Sequence, residues 1–367
     1  MPDAIRNAVA DGTIPGAVTL ISSADRVLSC EALGVADIET ARPMTPDTLF
    51  WIASTSKPIT AAAFMMLVDE RKATLDDPVE KHLPEFRGQM VAVEQDDDHA
   101  VLKKPCRPMT LRDALSHVSG LPFLSRVEQV IDGRPLREAA VSYAMTNLKS
   151  EPGAVYSYSN CGTNTIGRVI EVLAKMPYEQ FIRERIFAPL GMMETTFFPT
   201  AEQIARLATS YEPHSDGHSL RAIRVGQLTY PLDRPDRHVS PAGGLFSVAS
   251  EVAAFGRALL TGKYPDGRQF LSIESLRAMT TTQNPHLLKD GQTDGYGLCL
   301  ATSRLPDPAA PVPAGIFGHG GAYNNDFAID AERGIVAVIM VQLKDLGDRV
   351  GPIFRAFKTQ AAEQYGS

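Results

Sequence analysis

Hydrophobic patterning divides the chain into two strand-rich ends and a helical middle. Residues 16–37, GAVTLISSADRVLSCEALGVAD, hold two β-rich runs on either side of Ala24-Asp25, which predicts a hairpin after a short first helix. Near the other end, FAIDAERGIVAVIMVQ (327–342) reads as a strand, a polar turn closing at Gly334 and a β-branched strand, with a terminal helix over 350–364. Between them Ile166, Val169, Ile170 and Leu173 recur at helical spacing, Thr110 to Asp113 resembles a capping box, and Ser250 is the expected cap of EVAAFGRALL. The charged stretch EQDDDHAVLKKP (94–105) has no period and is expected to be a solvated loop.

Strands at both ends with helices between predict an α/β (α+β) fold. Its antiparallel sheet is built from both termini and flanked by helices, and a mostly helical lobe is inserted. With 367 residues, the chain exceeds the roughly 250–300 at which one hydrophobic core stops growing. The expected division is one lobe from residues 1–70 and 240–367 and a second from 71–239, with a site in the cleft between them.

Composition narrows the function classes. A formal charge of -7 and no basic stripe argue against nucleic-acid binding, so the expected partner is a small molecule. Cys30, Cys106, Cys161 and Cys299 are too scattered for a zinc site or a disulfide framework and read as reduced thiols. MPDAIRNAVADGTIP lacks the pattern of a secretory signal, and no apolar run reaches roughly 18 residues, so no membrane span and a soluble, cytoplasmic protein are expected.

The stretch LFWIASTSKPITAAAFMMLVDE (49–70) places Ser54 three residues ahead of Lys57 at the start of an apolar helical run. Its bland reading is a polar helix start, because Ser and Thr satisfy free backbone N–H groups there. Its chemical reading starts from the weakness of a serine hydroxyl as a nucleophile, which calls for a base within hydrogen-bond reach. An i, i+3 spacing supplies one on the same helix face, and the helix N-terminus favours a developing oxyanion. The apolar AAAFMML behind Lys57 would desolvate it and favour its neutral, basic form.

This stretch resembles the S-x-x-K motif of the serine β-lactamase and penicillin-binding protein superfamily, in its class C β-lactamase-like branch. The branch's Tyr-x-Asn motif is matched by Tyr158-Ser159-Asn160 in EPGAVYSYSNCGTNTIG; a second match, Tyr323-Asn324-Asn325, is out of position. Where the family carries Lys-Thr-Gly, this chain has His319-Gly320-Gly321, a better candidate than Lys289-Asp290-Gly291. TLRDALSHVSGLP, IFAPLGMMETTF and PAGGLFSVASEVAAFGRALL extend the resemblance over nearly the whole chain.

The resemblance implies a serine hydrolase working through an acyl-enzyme. Ser54 would be the nucleophile, with the amides of Ser54 and Ala322 as the oxyanion hole. Tyr158 and Lys57 would share the role of general base, the phenol lowered by a Lys57 cation, or else neutral Lys57 would be the base. Asn160 would orient Lys57 and the substrate, and the glycines beside His319 would let substrate approach the backbone. His319 is a less reliable cation at pH 7 than the family's lysine, and Gly320 has no hydroxyl, so both changes weaken recognition of a carboxylate. His-Gly-Gly or Trp-Gly-Gly triplets occur in family VIII carboxylesterases, which implies short-chain esters with weak β-lactam hydrolysis. A β-lactamase, D-aminopeptidase or acyltransferase with the same machinery is the alternative, and a non-catalytic ligand-binding domain is the alternative outside enzymes. With no H-E-x-x-H, G-x-S-x-G or G-x-G-x-x-G pattern, neither metal nor cofactor is expected, and His214 and His218 read as surface-loop residues.

Overall fold

The computed structural model describes residues 3–96, 98–214, 219–292, 294–303 and 315–366. Its main sheet has eight antiparallel strands: β1 (Gly16–Ser22), β2 (Val27–Asp37), β3 (Arg42–Pro43), β4 (Asp294–Tyr296), β5 (Ala301–Ser303), β6 (Ile316–Gly320), β7 (Asp326–Asp330) and β8 (Ile335–Met340). They lie in the order β4-β5-β6-β7-β8-β1-β2-β3, so the two ends of the chain meet where β1 pairs with β8, Val18 opposite Met340. Every residue of β1 and β8 is buried, the condition of strands covered on both faces.

That covering follows the alternation of the strands. Ala17, Ile21, Ala337 and Ile339 face the terminal helices α1 (Asp3–Ala10) and, later in the chain, Val350–Tyr365, whose Phe357 and Ala361 share their cluster. Val18, Leu20, Val336, Val338 and Met340 face the opposite way, into the large core that includes Val252 and Phe255. The helix bearing those two residues, Ala249–Thr261, comes so close that a Cβ at Gly256 would stand 2.6 Å from Val336. Glycine is what permits this contact.

Helix α2 (Lys57–Asp69) is buried from Lys57 through Leu67 and apolar around its circumference, as a central core helix must be. It packs on α3 (Asn160–Ala174), which begins immediately after the Tyr-x-Asn tyrosine and its neighbour Ser159. Ser159 caps α3, its Oγ accepting from the Gly162 amide at 3.0 Å, and Thr110 and Asp113 form the expected capping box. Among the described residues of 71–239 the strands form two separate hairpins, neither of which joins the main sheet.

Two local expectations are corrected. Residues Val91–Gln95 and Ala100–Lys103 form a hairpin instead of an unstructured loop. Ala100–Lys103 is exposed throughout, so no period-two burial pattern announces the strand. Ser250 is not a helix cap: the helix starts at Ala249 after extended Val248, leaving Ser250 in the first turn. The His214 amide donates to Ser219 O at 2.8 Å at the end of another strand pair, while His218 lies outside the described residues. No helix is long and apolar enough to cross a membrane among the described residues.

Candidate active site

A short ladder holds the approach to Ser54. Phe50–Trp51 pairs with Phe246–Ser247, the Ile52 amide donates to Leu245 O at 3.0 Å, and Trp51 Nε1 donates to Gly243 O at 2.8 Å. The chain then turns through Ala53, whose φ of +45° lies in the left-handed region, into the 3₁₀ turn Ala53–Ser56 that leads into α2. Such a conformation costs a non-glycine residue roughly 1–2 kcal/mol and persists only where packing enforces it. Ala53 is buried, and Ser54 is the one residue from Phe50 through Leu67 that is not. The fold thus presents a single hydroxyl at the mouth of an otherwise closed helix start.

Lys57 lies wholly within the protein, with Nζ 3.1 Å from Ser54 Oγ, 2.7 Å from Asn160 Oδ1 and 2.7 Å from Ala242 O. Burial pushes its amine down to about 7. In the neutral form the amine has two N–H groups and one lone pair. Asn160 Oδ1 and Ala242 O can only accept, so they take the two N–H groups and the lone pair is left facing the Ser54 hydroxyl. Ala242 is itself held by α3, since its amide donates to Asn164 Oδ1 at 2.9 Å.

Tyr158 stacks its ring against this amine, with Nζ 4.7 Å from the ring centre. Burial raises the phenol above its usual range, against the opposing effect of Ser54 beside it. Burial thus opposes the lowering that a lysine cation would bring to Tyr158, and of the two candidate bases Lys57 is the one poised near neutrality.

His319 sits at the end of β6 with Nε2 2.9 Å from Tyr296 Oη and 3.4 Å from Tyr158 Oη, and with Nδ1 2.7 Å from Gly320 O. Burial, reinforced by Lys57, pushes it down to about 3, so it carries no charge at neutral pH. Its weakened capacity as a cation, expected from residue type, is here a complete loss. Tyr296 Oη also lies 3.1 Å from His117 Nε2, and His117 Nδ1 accepts from the Ser159 amide at 3.2 Å.

The two glycines after His319 serve different ends. A Cβ on Gly321 would come within 2.5 Å of Ile52 O and 3.5 Å of the Ala53 Cβ. That contact seats the turn carrying Ala322 directly against the segment leading to Ser54. Gly320 is not crowded in this way, since a Cβ there would meet Asn325 O at 3.6 Å, an ordinary contact, so of the two only Gly320 could carry a side chain without displacing the backbone. The other Tyr-x-Asn triplet is structural: Tyr323 packs edge-on to Trp51, and Asn325 Nδ2 donates to Trp51 O at 2.9 Å.

The sequence profile of the family described as Beta-lactamase matches residues 1–359. The chain belongs to the β-lactamase family. An uncharacterized protein of Mycobacterium tuberculosis (strain CDC 1551 / Oshkosh) is 31% identical over 365 residues, covering 92% of this chain and 88% of its own. Esterase EstB of Burkholderia gladioli is 28% identical over 367 residues, covering 91% of this chain and 87% of its own. Among solved structures, EstCE1, described as a hydrolase with promiscuous acyltransferase activity, superposes with a TM-score of 0.82 at 25% identity over 97% of both chains. Simvastatin synthase (LovD) from Aspergillus terreus gives 0.80 at 22% identity over 99% of this chain and 97% of its own, a likeness of fold. This member of the β-lactamase family is a serine hydrolase.

Three site residues of this β-lactamase-family chain escape motif reading. Ala242 acts through its carbonyl, which carries no residue signature. His117 and Tyr296 stand in LSHVSGLP and DGYGLC, and the first of these stretches is recognisable as family-like without indicating that its histidine reaches the site.

Proposed function

We propose that the protein is a carboxylesterase acting on short-chain esters, with weak β-lactam hydrolysis as a side activity. Substrate enters between a sheet-bearing lobe of residues 1–70 and 240–367 and a helical lobe of 71–239. The observation that carries the ester preference is His319, buried and uncharged at the position where the family's carboxylate-binding members carry a lysine. A site without that cation disfavours the carboxylate of a β-lactam or peptide terminus and accepts a neutral ester. The name of the relative EstB and the description of EstCE1 support the same reading.

In this mechanism Ser54 Oγ attacks the ester carbonyl and its proton passes to the Lys57 lone pair. The Ser54 and Ala322 amides hold the resulting oxyanion, a contribution of roughly 3–4 kcal/mol per donor in well-formed sites. Asn160 keeps Lys57 oriented. The intermediate collapses as the C–O bond to the alcohol breaks, and Tyr158 protonates the departing oxygen. Water then attacks the acyl-enzyme by the reverse sequence. Acyl transfer to an added alcohol uses the same intermediate, a second outcome favoured by the description of EstCE1.

Steady-state kinetics on p-nitrophenyl butyrate and on a chromogenic cephalosporin test the ranking. The ester is expected to have the higher kcat/KM, and a strong preference for the cephalosporin would overturn the proposal.

A further inference from the structure

We propose that Tyr296 and His117 are positioning residues: they hold His319 as a hydrogen-bond acceptor already filled from behind, so that Tyr158 keeps its proton for the leaving group. This rests on the role of Tyr158 given above.

The polarity of the chain is set from both ends. The Ser159 amide can only donate, so His117 Nδ1 must carry a lone pair. The Gly320 carbonyl can only accept, so His319 Nδ1 must carry the proton. A neutral imidazole has one N–H, which puts the His117 proton on Nε2 and leaves His319 Nε2 bare. Between them Tyr296 Oη accepts from His117 Nε2 at 3.1 Å and donates to His319 Nε2 at 2.9 Å. All four bonds run in one direction and each group is used once. A second proton on either histidine would break this order. With both Nε2 atoms protonated, two donors would face the Tyr296 oxygen and its own hydrogen would have no acceptor in the chain.

The consequence falls on Tyr158. His319 Nε2 offers one in-plane lone pair, and Tyr296 occupies it at 2.9 Å while Tyr158 stands off at 3.4 Å. The phenol proton is therefore not drawn toward the imidazole and stays directed at the reacting centre beside Ser54. When an ester C–O bond breaks, its electron pair goes to the alcohol oxygen, which takes the Tyr158 proton; the proton Lys57 removed from Ser54 makes good the loss. If the Tyr296 hydroxyl is removed, the His319 lone pair becomes vacant and Tyr158 is the hydroxyl nearest to it. The phenol turns to fill the vacancy and is lost to the leaving group.

Leaving-group dependence separates this role from simple structural support. Ethyl butyrate expels an alkoxide that must be protonated, whereas p-nitrophenyl butyrate expels a phenolate that leaves without a proton. Tyr296→Phe in the full chain is expected to lower kcat/KM for ethyl butyrate by about 10-fold or more and to leave p-nitrophenyl butyrate within about threefold. His117→Leu should show the same selective loss, and His117→Gln, which retains an N–H donor near the Nε2 position, should restore much of it. Adding Tyr296→Phe to His319→Leu should have little further effect, because no acceptor remains to divert the phenol. Equal losses on both esters, or none, in folded Tyr296→Phe overturn the inference, as does a failure of His117→Gln to exceed His117→Leu. If the wild-type chain hydrolysed neither ester, the esterase reading itself would fall; an active wild type with non-selective variants refutes only the positioning chain.

Discussion

Lys57 Nζ donates to Asn160 Oδ1 at 2.7 Å, a bond that joins the first turns of α2 and α3 across 103 residues of sequence. With Ala242 O taking a second N–H, this bond leaves the lone pair of a neutral Lys57 for Ser54. Acylation is therefore expected to follow the deprotonation of Lys57. Below about 7 the amine is charged and cannot accept the serine proton, so kcat/KM should rise with pH through a midpoint near 7. Because burial raises Tyr158, the profile should level off rather than turn down in the mildly alkaline range. A pH–rate profile on an activated ester checks this, and a midpoint near 10 would show that Lys57 is not the base.

The same depressed lysine makes a prediction about stability. Its folded value, about 7, lies below the unfolded 10.5, so the native state binds fewer protons between those limits and stability rises with pH across that window. Below about pH 7 the full cost of the buried ammonium applies. Lys57→Met should therefore be more stable than wild type at pH 6, by an amount on the order of a few kcal/mol, with the gap narrowing toward pH 10. Urea titrations at the two pH values measure it; a constant gap would contradict the assignment.

Charge alone does not replace this lysine. Lys57→Arg stays protonated at every accessible pH and should lose activity as fully as Lys57→Ala, by roughly 10²–10⁴-fold. Tyr158→Phe should fall in the same range on ethyl butyrate, whose alkoxide needs a proton, and Ser54→Ala should abolish formation of a covalent adduct with a fluorophosphonate, read by intact mass. Wild-type turnover by Ser54→Ala would remove the mechanism.

The adjacent glycines should separate sharply. Gly321→Ala forces a Cβ to within 2.5 Å of Ile52 O, displacing Ala322 from Ser54. A loss of roughly 10²-fold in kcat is expected, the scale of one oxyanion donor. Gly320→Ala has space and should keep most turnover of a small ester. Equal behaviour of the two would place the tight approach elsewhere.

Asp132 and Arg237 form an ion pair with 0% and 1% side-chain exposure, in which Arg237 also donates to Phe197 O and Leu232 O. The pair ties the loop of Ile131 to the loop of Leu232 beside the cluster containing Ala53 and Tyr323. Asp132→Ala leaves a buried guanidinium without its counter-ion and should destabilise by about 3–5 kcal/mol. Replacing both partners, Asp132→Leu with Arg237→Met, should recover much of that loss in thermal or chemical unfolding.

Much of this was legible in the residues. The strand runs at 16–37 and 327–342, the terminal helix, the Thr110 capping box and the helix after Tyr158 all rest on local periodicity and cap chemistry, which act over a few neighbours. The hairpin strand Ala100–Lys103 was not, because a strand with both faces in water carries no alternation. Ser250 misled because a serine caps a helix only if the helix begins at the next residue, and here it begins at Ala249, with Val248 in the cap position.

By itself the sequence determined that Ser54 and Lys57 share one face at the start of an apolar helix, since i, i+3 spacing and an apolar run are local properties. Only the tertiary structure decided the protonation states. Burial pushes Lys57 down to about 7 while acceptors at 160 and 242 orient its amine, and burial together with Lys57 removes the charge of His319, whose ring is held between Tyr296 and the carbonyl of Gly320. Desolvation and hydrogen-bond direction depend on which distant groups fold against a side chain, and no spacing along the chain encodes that.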